Sequence, residues 1–220
     1  MSLVCIRRDC GDRGAERGQS LVEFALLVPV FLLLLLGMLE FGFMFLQNQT
    51  LEYATREGAR AGAALGNGNL ADQACVAGGG IVGSANVDSL IIDAVQRVLK
   101  SPGSQVDESK ITQILIFKAD STGNDTSHNQ WKWAGLSQGS AVQCQSPAFT
   151  TDFKPTSDVN WPAANRMNGV NPDSLGVSIT YQYQYHTPLG GILAFLRGNG
   201  SSSLTMTDRT VMALEPFNKP

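Results

Sequence analysis

An α+β architecture, in which a long apolar N-terminal helix carries a small head with an antiparallel sheet, is predicted by three features of the sequence. The first is an apolar stretch of membrane length, with Glu40 as the single charged residue between Phe24 and Leu46. The second is the segment Leu175 to His186, which alternates apolar and polar side chains with the period of two that a half-buried strand requires. The third is Asp88 to Leu99, where Leu90 or Ile91, Ala94 or Val95, and Val98 recur at helical spacing before Pro102-Gly103 stops the pattern.

The apolar stretch comes first in the chain. From Phe24 to Leu46, at 1.5 Å per residue, it makes about 35 Å of helix, enough to cross a bilayer. A secretory signal would have an apolar region of about 7 to 15 residues ending at a small-residue cleavage site. The first such triplet here, Ala59-Arg60-Ala61, lies well beyond the apolar residues, so the helix is expected to be retained. Arg7, Arg8, Arg13 and Arg17 precede it, whereas only Arg56 and Arg60 follow closely, which directs residues 1–18 to the cytoplasm and residues 66–220 outside.

The helix is expected to run on past the membrane, over residues 19–65, with its transmembrane part at about 24–46. Its outer half lacks proline, is rich in alanine, and places Glu52 near Arg56 and Glu57 near Arg60. A continuous rod would be about 70 Å long. Pro29 removes one helical hydrogen bond and is expected to bend it. Ala54, Gly58, Gly62 and Gly66 fall four apart, either as a stripe that admits another backbone or as a glycine-softened helix end.

In the head, the glycine-rich residues 66–87 lack the lysine and hydroxyl spacing of a phosphate cradle and read as a loop. The 88–99 helix should cover a sheet formed by strands at Ile111–Lys118, Leu175–His186 and Ser203–Leu214. Val177, Ile179, Tyr181, Tyr183 and Tyr185 share one face of the middle strand, as core or as an adhesive aromatic ladder. Ala119 to Asp173 is polar and turn-rich, with Trp131, Trp133 and Trp161 scattered through it. It reads as a long loop suited to partner specificity. Gly190 to Leu196 is apolar but too short to cross a bilayer, hence a packed helix or a docking surface.

Composition narrows the function. The leader has four arginines against three acids, and the remainder twelve basic against sixteen acidic residues, with no basic stripe for nucleic acid. Cys5 and Cys10 lie in the leader, leaving Cys75 and Cys144 as the pair outside. A bridge between them is expected and would stabilise the head by about 4 kcal/mol in the chain-entropy description. The two histidines, His128 and His186, lie apart and no C-x-x-C occurs, so neither a metal site nor a Ser-His-Asp arrangement is expected. Asp120 and Asp125 belong to a turn-like segment that lacks the glutamate of a calcium loop. No cofactor and no enzymatic activity are expected.

The stretch Arg17-Gly18-Gln19-Ser20-Leu21-Val22-Glu23-Phe24 resembles the processing site of type IV pilin-like proteins, in which a prepilin peptidase cuts after the glycine. From Arg17 to Leu65, including Ala54-Thr55-Arg56-Glu57-Gly58-Ala59-Arg60-Ala61-Gly62, the chain resembles the TadE-like family. Thr207 to Pro216 is similar to that family's C-terminal end. The resemblance implies a minor pilin or pseudopilin of the tight adherence (Flp) pilus system. Its implied partners are the prepilin peptidase, other pilin-like subunits, an inner-membrane assembly platform and the lipid bilayer. It implies cleavage between Gly18 and Gln19, and pairing of Glu23 with the new amino terminus of a neighbouring subunit. Phe24 stands where the major pilins of that system usually carry tyrosine. Glu23 can also be read as a plain marker of the span's edge, and the whole chain as a permanently anchored envelope protein whose head binds a ligand without polymerising.

Overall fold

A computed structural model describes residues 13–68, 74–75, 80–81, 84–139, 141–142, 149–198 and 203–215. Helix α1 (Arg13–Leu65) is continuous through Gly18 and Pro29. It ends where Gly66 takes a φ of +54°, the left-handed conformation that terminates helices at little cost only with glycine. Helix α2 spans Ser84–Leu99, so residues 84–87 are helix and not the expected loop, with Val87 drawn into the core, and α3 spans Leu189–Arg197.

Five antiparallel strands form the head's main sheet: β1 (Ile111–Ala119), β2 (Asp125–Trp133), β3 (Phe153–Val159), β4 (Ser174–Gln184) and β5 (Ser203–Ala213), in the order β3-β2-β1-β4-β5. Strands β1, β4 and β5 lie where the apolar patterns place them. In β4 the expected face is core, because Val177, Ile179, Tyr181 and Tyr183 are all buried. Two-residue ladders join 74–75 to 80–81 and 141–142 to 149–150.

Residues 119–173 depart from the expected long loop, since they contribute β2 and β3 to the sheet. The reason is visible in their side chains. On β2 the buried positions are Asn129 and Trp131, so half of the inward pattern is polar and no apolar alternation marks the strand. Asn129 is satisfied from elsewhere: its amide donates to Asp88 and to the Trp161 carbonyl at 2.7 Å each, and its oxygen accepts from the Trp161 N–H at 2.8 Å. Strand β3 contains Pro155, which an edge strand alone tolerates, and β3 is the edge. Trp131 and Trp161 are core, whereas Trp133 is partly exposed. Asp120 caps the β1–β2 turn, accepting from the Thr122 and Asn124 N–H groups at 2.8 Å. Its Oδ1 is thus engaged by the turn's own backbone.

The outer half of α1 and the whole of α2 pack side by side on one face of the sheet. Leu51, Ala54, Ala59 and Leu65 from α1 join Val87, Ile91, Ile92, Val95 and Leu99 from α2 and Ile114, Ile116, Val177 and Ile179 from the sheet in one core. Of the two readings of the small-residue stripe, packing is the one observed. A Cβ on Gly58 would lie 2.5 Å from Val95 Cγ2, and one on Gly62 would lie 2.7 Å from Leu175 Cδ2. Gly18, Gly37 and Gly42, by contrast, have open space around them.

Under the β2–β3 end of the sheet, Glu108 is buried beside Asp152, which pairs with Lys100 at 2.6 Å. Burial first, and the Asp152 carboxylate second, push Glu108 up from 4.5 to about 7. The folded chain therefore holds a proton there that the unfolded chain has released above pH 4.5, and this site's contribution to stability falls as pH rises toward 7. Glu108→Gln removes that dependence and should be more stable than the unaltered chain at pH 8 by about 1–3 kcal/mol. Thermal melts of both proteins at pH 5 and pH 8 check this, and equal pH slopes would contradict it.

Candidate assembly and membrane-anchoring site

Helix α1 is two different objects along its length. From Phe24 to Leu39 it is an apolar cylinder, with Phe24 69%, Leu27 67%, Leu34 70% and Met38 78% exposed and nothing of the head against it. Its most apolar window has a mean hydropathy of 2.6 and no buried residue. An apolar surface of that extent marks contact with lipid or with other apolar helices. From Glu40 onward one face of the helix is held by the head.

The sequence-predicted residues lie at the far N-terminal edge of the apolar part. Gly18 and Gln19 are consecutive in unbroken helix, and Gln19 Nε2 donates to Glu23 Oε1 at 3.0 Å, one turn along. Phe24 projects beside them into open space. The structure thus brings Gln19 to Glu23 and leaves both away from every element of the head. Nothing near Gly18 would collide with a side chain, so packing gives no reason for glycine at that position. Cys144 lies outside the described residues, as does the side chain of Cys75, together with Cys5 and Cys10.

Sequence reasoning missed the role of Glu40. Its carboxylate is 6% exposed and accepts hydrogen bonds from the Tyr183 hydroxyl and from the backbone N–H groups of His186 at 3.0 Å and Thr187 at 2.9 Å. Burial, then the bond to Glu40, raises the Tyr183 hydroxyl above its ordinary value and keeps it a donor. Phe43 packs against the His186 ring, centroids 5.2 Å apart. The signal that was available is the position of a lone acid inside an apolar helix, which demands partners. The partners themselves lie more than 140 residues away in sequence.

Two further ties fasten α1 to the end of the chain. The buried Thr55 hydroxyl meets Asp208 Oδ2 at 2.5 Å and the Thr210 hydroxyl at 3.1 Å. The Glu215 N–H donates to the Ala63 carbonyl at 3.1 Å. Thr55 and Asp208, 153 residues apart in the chain, touch here. The pairs Arg56 with Glu52, and Arg60 with Glu57, are exposed, and such surface pairs contribute little stability. Glu40, Thr55 and Ala63 span 23 residues, so the seam extends for about 35 Å.

This arrangement can transmit force but has no constellation for covalent chemistry among the described residues. No match is found among curated proteins or among solved structures. Residues 18–60 match the family model described as TadE-like protein, a range that takes in the Gly18–Glu23 edge, the apolar cylinder, Glu40 and the salt-bridged outer turns. Over that helix, the chain is similar to the TadE-like family.

Proposed function

We propose that the chain is a membrane-anchored minor pilin or pseudopilin of a Tad-type pilus system, cut between Gly18 and Gln19 by a prepilin peptidase and assembled through its apolar helix. Its role is structural rather than enzymatic. The observation that carries this reading is the division of α1 into a naked apolar half and a half fused to the head. Such a rod can move from lipid into a bundle of like helices without disturbing the head. The lipid-facing stretch on this reading runs from about residue 18 to residue 39, close to the 20 residues a bilayer requires. It is shorter at its outer end than the span expected from hydropathy, because Glu40 and Gln47 are buried by the head.

Gly18 and Glu23 support the processing step. Glycine in mid-helix lowers the cost of unwinding by about 1 kcal/mol relative to alanine, which favours the extended backbone a peptidase needs. Removal of the leader creates a positive amino terminus one turn from the Glu23 carboxylate. In an apolar surrounding the two charges would favour a neighbour in one register only.

The N-terminus of the protein recovered from inner membranes tests this. Gln19 is expected, and Glu23→Ala should still insert and be cut but should abolish incorporation into filaments. Retention of residues 1–18 in the membrane-bound form would refute the processed pilin and leave a permanently anchored binding protein. Normal filaments from Glu23→Ala would remove that acid from the mechanism.

A further inference from the structure

Helix α3 starts two residues beyond Thr187, whose N–H holds Glu40. The same hydrogen bonds that clamp the head to α1 therefore fix the start of α3 at the level where the naked apolar cylinder ends. The helix touches α1 there. Its nine residues carry no charge before Arg197. Ala194 is buried, whereas Phe195 is 86% and Ile192 43% exposed. Ile192 and Phe195 are three apart and share one side of the helix. A phenylalanine that open to water forfeits most of the roughly 2 kcal/mol its burial would contribute.

We propose that α3 lies in the outer headgroup layer of the bilayer, with Ile192 and Phe195 entering the apolar boundary. The occupant follows from position: α3 is tied through Thr187 to Glu40, the outer end of a helix whose next sixteen residues inward, Phe24–Leu39, are uncharged and uncovered by the head. Nine residues cannot span a bilayer, but a short apolar helix can lie in its surface plane. The head thus rests on the membrane at two points, α1 and α3. Drawing α1 out of lipid must lift α3 as well, so the head reports extraction of its anchor.

The inference rests on the membrane reading of α1, and the experiment separates the two. The photoreactive residue p-benzoylphenylalanine replaces Phe195, Leu34 or Val170 in the full chain, inserted in vesicles of phosphatidylethanolamine and phosphatidylglycerol. Leu34 is in the apolar cylinder, and Val170, 92% exposed, neighbours Asn168, which meets Asn67 at the opposite end of the head. That end is about 40 Å along α1 from Glu40. After irradiation, lipid adducts at position 195 should exceed those at 170 about tenfold and approach those at 34. Strong adducts at 34 with position 195 no higher than 170, or with 195 joined to a second copy of the chain, would overturn the α3 proposal and leave the membrane helix standing. Absence of lipid adducts at 34 would overturn both.

Discussion

Glu40→Ala should loosen the head from its anchor more than any other single truncation on α1. The change strands three donors that the head has already oriented: the Tyr183 hydroxyl, which is fully buried, and the N–H groups of His186 and Thr187. A buried donor without a partner costs about 1–3 kcal/mol, and water can reach the two backbone groups more easily than the hydroxyl, so about 2–4 kcal/mol is expected in all. For a domain of this size that lowers Tm by about 5–15 °C. The measurement is a thermal melt of the full chain in detergent micelles, with limited proteolysis between residues 40 and 50 as a local reading. Tyr183→Phe should cost less, and the double variant should cost clearly less than the sum, because both changes remove one shared bond. A Glu40→Ala melt within about 2 °C of the unaltered protein would show that the carboxylate does not secure the seam.

Gly62→Leu is the second large effect. Gly62 lies where α1 crosses β4 closely enough that a mere Cβ would be 2.7 Å from Leu175 Cδ2 and 3.0 Å from Ile91 Cδ1. Both neighbours are fully buried and have no room to withdraw. Overpacking of this kind costs about 1–3 kcal/mol, against the gain of up to 1 kcal/mol that replacing a helical glycine otherwise brings. The same substitution at Gly37, which faces open space, should leave the head's melting unchanged. Leu175→Ala in the Gly62→Leu background should recover part of the loss by making room. If Gly62→Leu melts as high as the unaltered chain, α1 and β4 do not approach as described.

The seam bears on function through rigidity. A single tie at Glu40 would let the head pivot on its helix, whereas ties at Glu40, Thr55 and Ala63 along about 35 Å hold its orientation. A force applied to the apolar cylinder is then delivered to the head without play. On the filament reading proposed above, the head's placement is a direct consequence of where its helix packs.

What the sequence by itself determined is what neighbouring residues decide among themselves. The apolar run from Phe24, the helical continuation with its Glu52–Arg56 and Glu57–Arg60 pairs, the α2 pattern and the alternation of β4 each rest on spacings within a few residues, and each appears in the structure, although α2 begins at Ser84 and the uncovered part of the apolar run stops at Glu40. The tertiary structure alone decided features whose cause lies far along the chain. Strands β2 and β3 form although their own side chains do not announce it, because Asn129 finds Asp88 and Trp161, and because Pro155 needs only an edge. Gly58 and Gly62 are packing residues because Val95 and Leu175 lie against them. Glu40 is a clamp instead of a flaw in a membrane span because Tyr183, His186 and Thr187 converge on it. Local periodicity encodes which face of an element is apolar, but the partner that satisfies a buried polar group or fills a glycine's vacancy is brought there by the fold, and no spacing along the helix itself records it.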